Sequence, residues 1–462
     1  VVSAGTVQYA SRTAFGTSTL YLNGGTRLQK ITEEGNSAAL TMANNIILTG
    51  GQVELNVDFT NAKDQWCSGV ISGTGSLRIT AGGGVGRAVT LTGNNTFSGG
   101  VTLDTTTTPG WIQLGNANGL GVGTLTINHT GGNAAQGLGA STNLTVGTGV
   151  ANNIVINSGA TLNLGGPVAT GNVLLSGVIS GGGSLNKQDA AATTFTLAGA
   201  NTYTGTTRVA SGTLALGASN VLPNTSNITL AGATINASTF TDTAGTLAVS
   251  GTATINLGSG GALAFANSSA VSWSGTLNIT GTFVSGSSIR FGTTNAGLTP
   301  SQLASISVNG TGAGTYALNA DGYLIVAPSS PYITWAGIGV DFDADANKDG
   351  VSNGMAWVLG AADEDTNASG LVPTIDNSDA IYFIFNFRRK DEANTDAATT
   401  IITQYSTTLT GWTTAVHDGS DIIITPSNDF YATGVDKVEV KIKRTLAPGG
   451  KLFVRLKTDY TP

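Results

Sequence analysis

A nine-residue segment that returns constrains this chain more than any other feature. LTGNNTFSG, Leu91 to Gly99, comes back as LAGANTYTG, Leu197 to Gly205. Two other blocks return with it in the same order. NNIILTGGQVELNV from Asn44 matches NNIVINSGATLNL from Asn152, and CSGVISGTGSLRIT from Cys67 matches LSGVISGGGSLNK from Leu175, both offset by 108 positions; the nine-residue segment is offset by 106. Ordered recurrence at near-constant spacing marks a repeated structural unit. A third kind of segment recurs after the nine-residue block: GTVQYASRTAFGTSTLYLNG from Gly5 resembles GWIQLGNANGLGVGTLTIN from Gly110 and GTLALGASNVLPNTSNITLAG from Gly212. The first coil therefore begins partway through the pattern. An uncapped coil leaves strand edges that proteins cover or use, which makes Val1 to Gln8 a candidate pairing edge.

Between these blocks lie short period-two runs such as SLRIT at Ser76, TLTIN at Thr124, TLALG at Thr213 and TLNITG at Thr276, separated by Gly, Asn or Ser. Runs this short with that period are strands. A propeller blade repeats every 40 to 50 residues or so with strong aromatic markers, whereas the unit here exceeds a hundred residues and aromatics are few. A parallel β-helix, with coils of about 20 to 25 residues stacking small and β-branched side chains inward, accounts for both repeat and looseness. Within it, Gly93, Gly99, Gly199 and Gly205 are expected at tight or positive-φ corners. Asn95 and Asn201 either bond within a stacked turn as a ladder or face water, and Phe97 and Tyr203 are expected to pack inward or at a corner. Cys67 stands where Leu175 stands in the other copy and is expected to be a buried small hydrophobe. LTPSQLASI from Leu298 is the one short helical turn expected before residue 330.

Charge divides the chain. Val1 to Ser330 carries 18 charged residues, and the 132 positions from Pro331 carry 29. This gives three parts: a β-helix over 1–328, a linker with an acidic loop over 329–370, and a β-sandwich-like domain over 371–462. The net charge of -7 and the lack of a basic cluster in the repeats argue against nucleic acid as a partner. No run of eighteen apolar residues spans a membrane. The start VVSAG has no initiator Met, as after removal of a secretion signal, and equally as in a trimmed expression product.

In their order, SGVISGTGSLRIT, LTGNNTFSGGVTL, LAGANTYTGTTRVASGTLALG and LTPSQLASISV resemble the autotransporter-associated β-strand repeats of bacterial surface and secreted proteins. The resemblance covers most of residues 1 to 330. It implies an extracellular, right-handed parallel β-helix. No outer-membrane barrel accompanies it here, so self-transport is not implied.

The C-terminal part holds the strongest local chemical motif, DFDADANKDGVSNGMAWVLG, Asp341 to Gly360. Asp345, Asn347 and Asp349 take positions one, three and five of a calcium loop. Gly350 takes the turn position, Val351 offers a carbonyl at seven, Asn353 lies at nine, and Asp341 and Asp343 extend the acidic stripe. Position twelve, the usual bidentate acid, is Ala356. Two expectations stand together: a weakened Ca²⁺ site, and a metal-free Asx-rich loop. The GMAWVL segment is expected to form a short helix anchored by Trp357. Beyond it, AIYFIFNFRRK, TIITQYS, DIIITPS, VDKVEVKIKRT and GKLFVRLKTD read as strands, with Lys451 to Asp459 a second candidate edge. The acidic DGxSN loop, the FRR strand, the Ser406 to Trp412 segment and the Phe453 to Leu456 strand together resemble the C-terminal module of secreted proteins from Verrucomicrobia. Export is implied, and no reaction. Arg388, Arg389 and Lys390 read as a solvated basic edge or a surface contact.

Catalysis finds little support. His129 and His417, the two histidines, fall in different parts and match no metal or triad pattern. The nine acids before residue 330 form no evident pair for glycoside hydrolysis. The expectation is a non-enzymatic structural protein of a cell surface or matrix fibre, partnered by copies of itself head to tail through strand pairing. The alternative is a surface adhesin, a rod that binds glycans with Trp66, Trp111, Tyr203 or Trp273 as stacking platforms, although core or corner packing is the plainer reading of each.

Overall fold

The computed structural model describes residues 1–11, 13–31, 40–57, 65–81, 87–104, 110–128, 136–166, 169–188, 193–311, 315–327, 330–337 and 340–461. His129, Pro328 and Ser329 lie outside the described residues. The chain divides into two compact units, Val1–Ile325 and Val326–Pro462.

The first unit is a parallel β-solenoid. Its strands pair in register with strands one coil away. Eight of them, from Gly5–Tyr9 through Thr26–Lys30, Gln52–Val57 and Ser76–Ala81 to Ile179–Ser180, form one continuous face. A second, sixteen-stranded sheet runs beside it, and shorter sheets such as Leu20–Leu22, Ile46–Leu48 and Ile71–Gly73 close the coil. Alternation explains why these residues form these strands, since every second side chain turns inward. Leu28, Leu55, Ile79, Leu103, Ile127 and Ile156 stand in register one above another, and none is more than 1% exposed. Truncating any one to Ala leaves a gap that its neighbours cannot fill, at a cost of about 2–5 kcal/mol.

Coil length varies more than the expected 20 to 25 residues. It runs from 19, where Ile228 pairs with Leu247, to 29, where Leu125 pairs with Ile154. Loop insertions are cheap for a solenoid as long as the stacking positions stay in register. The 108-residue repeat spans several coils. Ile46 stacks on Ile71, Thr96 donates to the carbonyl of Ile71, Val122 donates to that of Phe97, and Asn152 donates to the carbonyls of Gly121 and Gly123. Four coil-to-coil steps thus separate Asn44 from its counterpart Asn152. The expected helical turn is present as Pro300–Leu303, with Thr299 and Gln302 forming a capping box.

The second unit holds two antiparallel sheets. One has the order Thr374–Asp376, Tyr382–Lys390, Val435–Lys443, Ile422–Ala432; the other, Thr413–Thr414, Thr399–Ser406, Phe453–Tyr460. Phe385, Phe387, Val438, Val440 and Ile442 of the first pack with Ile401, Tyr405, Val454 and Leu456 of the second. The 329–370 stretch is more than a linker where it is described. Its helices Pro331–Ala336 and Asn353–Val358 bring Tyr332, Phe342 and Trp357 into one cluster with Ala393 and Tyr460. Trp357 is fully buried, as the anchoring role requires.

Candidate functional site

Asn95 and Asn201 are the polar residues on which the repeat turns. Both are buried, at 2% and 6% exposure. Each side chain reaches two different coils. Asn95 Oδ1 accepts from the Ile71 amide at 2.8 Å while its Nδ2 donates to the Gly119 carbonyl at 2.7 Å. Asn201 repeats the arrangement with the Ile179 amide and the Val221 carbonyl, both at 2.7 Å. The bonds run from amide to backbone rather than from Asn to Asn, so each Asn is a staple through three coils. The neighbouring NNI blocks are built alike: Asn45 and Asn153 accept from Val70 and Val178, and Asn44 and Asn152 donate to carbonyls of the preceding coil. Further along, Asp242 accepts from the Val221 and Leu222 amides at 2.8 and 3.0 Å. Desolvation holds its carboxyl above the usual range, against the pull of these bonds.

The motif glycines serve a different need from the one expected. Gly93, Gly99, Gly199 and Gly205 are not among the positive-φ residues. What forbids a side chain is the coil below. A Cβ at Gly93 would meet the Gly69 carbonyl oxygen at 2.3 Å, and one at Gly199 or Gly205 would meet that of Gly177 or Gly183 at the same distance. Positive φ falls instead on the equivalent pair Gly73 and Gly181, at 101° and 102°.

Phe97 and Tyr203 are both wholly buried. The Tyr203 hydroxyl bonds Thr207 Oγ1 at 2.6 Å, which bonds Ser226 Oγ at 2.8 Å; burial pushes the phenol up to about 12. Tyr203 is therefore no stacking platform. Trp111, 6% exposed, is none either. It lies against Gly137, where a Cβ would meet its ring at 1.7 Å, so glycine in the next coil makes its seat. Trp66 is half-buried on its strand. Trp273, also half-buried, donates from Nε1 to the Leu247 carbonyl at 2.8 Å and sets its ring edge-on to Phe291 at 6.1 Å. It lines a groove of about 270 Å³ with Val271, Ser272, Ser301 and Gln302 among its walls. Cys67 stacks in register between Met42 and Leu91 and is 1% exposed; burial pushes its thiol up to about 12.

In the acidic loop the expected ligands bond mostly to the loop itself. Asp345 accepts from the Asp349 and Gly350 amides at 3.1 and 2.9 Å. Asp349 accepts from Val351 at 2.8 Å and from Ala368. Asn347 donates to the carbonyls of Glu364 and Thr366, and Asp341 accepts from the Asp343 amide. Asn353 is buried and donates to the Asp341 carbonyl at 2.8 Å, while the Val351 side chain is buried. Asp341, Asp343 and Asp345 are exposed. Among the described residues no three His, Cys, Asp or Glu side chains gather into a group that could hold a metal ion. Ala356, at the position of the missing acid, is buried in the helix that follows.

In the part-exposed basic run after Phe387 each residue has a partner. Arg389 pairs with buried Asp436 at 2.8 Å, Arg388 lies 4.1 Å from the Tyr431 ring centre, and Lys390 pairs with Glu392. His417 Nδ1 accepts from the Ile424 amide at 2.9 Å, a bond that holds a loop to its strand. Ser406 accepts from the Thr408 amide and donates to the Thr410 carbonyl, which shapes the turn before Trp412. Among the described residues no helix is long and apolar enough to cross a membrane. No protein-family model matches the chain, and no curated protein or solved structure is significantly similar to it.

Proposed function

We propose that this chain is an extracellular structural protein, a solenoid-bearing subunit of a cell-surface or matrix fibre that assembles head to tail by strand pairing. One observation carries the proposal. The strand Phe453–Tyr460, which overlaps the segment Lys451 to Asp459 read from sequence as an edge, is hydrogen-bonded to Thr399–Ser406 on one side and to no other described strand. Such an edge presents a row of amides and carbonyls to which a partner strand adds with little dependence on side-chain identity. The likeness of the repeats to autotransporter-associated strands, and of the second unit to an exported module, supports the surface location.

Calcium enters this proposal only as a weak ligand. Each carboxylate oxygen of Asp345 and Asp349 already accepts a backbone amide, and the strong bidentate acid is missing. Titration calorimetry is expected to show no saturable heat below about 0.1 mM Ca²⁺, the lower end for extracellular sites; saturation at micromolar metal would overturn the weak-site assignment. For the assembly itself, electron microscopy and sedimentation of the full chain over a range of concentrations are the test. Filaments or oligomers that grow with concentration are expected. A particle that stays monodisperse at every concentration, with and without calcium, would overturn the proposal.

A further inference from the structure

We propose that the groove beside Trp273 is a binding site for a single neutral sugar ring, such as a terminal pyranose of a surface glycan. The site lies late in the solenoid, where the stretch before Ser274–Thr280 meets the turn Pro300–Leu303. Three properties select the ligand class.

The first is charge. None of the lining residues is ionisable, so neither a phosphate nor a carboxylate finds a counter-ion here. The second is the pairing of a half-buried indole with hydroxyls. Ser272 and Ser301 are exposed, line the groove beside Trp273, and have no hydrogen-bond partner among the described residues. A pyranose offers the matching surface, an apolar patch of ring C–H groups bordered by hydroxyls that donate and accept. A purely apolar ligand would leave those hydroxyls against nothing. The third is size. At about 270 Å³ the groove sits near the lower bound for small-molecule sites, which suits one ring rather than a buried chain.

The walls are also fixed before any ligand arrives. Gln302 is 5% exposed, and its Nε2 donates to the Ser268 and Val271 carbonyls at 2.9 and 2.7 Å while its Oε1 accepts from the Thr299 amide at 2.7 Å. The Trp273 ring is held by its bond to Leu247 and its contact with Phe291. A site whose side chains are already immobilised loses little entropy on binding.

Saturation-transfer NMR on the full chain with a panel of methyl pyranosides, N-acetylglucosaminide included, tests the site. Transfer to the ring protons of at least one sugar is expected, with a dissociation constant on the order of 1 mM for so small a contact. Ser301→Trp fills the groove from an exposed position with the core untouched and is expected to abolish the transfer. Trp66→Phe is expected to leave it unchanged, which assigns the signal to Trp273. Trp273→Ala is expected to abolish it as well, but this variant loses a core contact, so the Ser301 variant decides. Silence across the whole panel, or transfer that survives Ser301→Trp, would overturn the assignment. Neither result bears on strand pairing at the Phe453–Tyr460 edge, so this inference and the assembly proposal stand or fall separately.

Discussion

Replacing Asn201 tests the three-coil staple most directly. In Asn201→Ala the Ile179 amide and the Val221 carbonyl lose their partner, and both residues are buried at 1% exposure or less. A buried polar group left unpaired costs about 1–3 kcal/mol, so the pair predicts about 2–6 kcal/mol of local destabilisation. A stack of repeats does not unfold as one unit, so a global midpoint would blur the effect. Amide hydrogen exchange reads it where it arises. At about 1.4 kcal/mol per factor of ten, the lower bound corresponds to roughly a 30-fold loss of protection at Ile179. Asn201→Asp separates the two halves of the staple. It keeps an oxygen for the Ile179 amide but turns a second one towards the Val221 carbonyl. Burial and that repulsion raise the folded-state pKa above the ordinary carboxylate value. An acid whose folded pKa is raised contributes stability in its neutral form, present at low pH and lost as pH climbs through the folded pKa. Protection in this variant should therefore recover on acidification, as the neutral acid donates to Val221. Ile179 exchanging within threefold of the parent in Asn201→Ala, with no pH dependence in Asn201→Asp, would refute the staple.

Other expectations follow from the same coil-on-coil contacts. Gly199→Ala places a Cβ at 2.3 Å from a backbone oxygen that cannot swing away, and urea unfolding should show a loss of about 1–3 kcal/mol, in the range of core overpacking. Cys67, with its thiol buried and pushed up to about 12, should resist a maleimide at pH 8 in the folded state and react at once in denaturant. Asp242 has its carboxyl raised by desolvation, so it should add stability as pH falls through its folded pKa and lose it on the way back up. Asp242→Asn should flatten that part of the stability–pH profile, as followed by thermal unfolding.

How much was legible in the sequence varies with the range of the interaction. Strand identity was clear at Ser76–Ala81 or Tyr382–Lys390 because alternation is a property of neighbours in sequence, and the faces of a strand have period two. Trp357 could be placed in a core for the same reason, as part of a short apolar helical run. The glycines of the repeat were visible as glycines, yet their purpose was not. A corner and a close approach demand the same residue, and only the distance from Gly199 to the Gly177 carbonyl tells them apart. The four aromatics were equivalent on paper. Trp111 is buried because Gly137 happens to stand one coil away, and Trp273 lines a groove because the Pro300–Leu303 turn stops beside it.

The sequence by itself determined that this chain is a repeat built of short strands, that Asn95 and Asn201 occupy one role, and that Cys67 substitutes for an aliphatic residue. Those facts follow from local alternation and from comparison of one copy with the other. Only the tertiary structure decided that the role of Asn95 is to bond the coils on either side, that four coil steps fit into one 108-residue repeat, and which of the aromatics are sealed in the core. Each of these depends on contacts between residues 19 to 29 or more positions apart, and the lengths of the intervening loops, which carry no periodic signal, set that register.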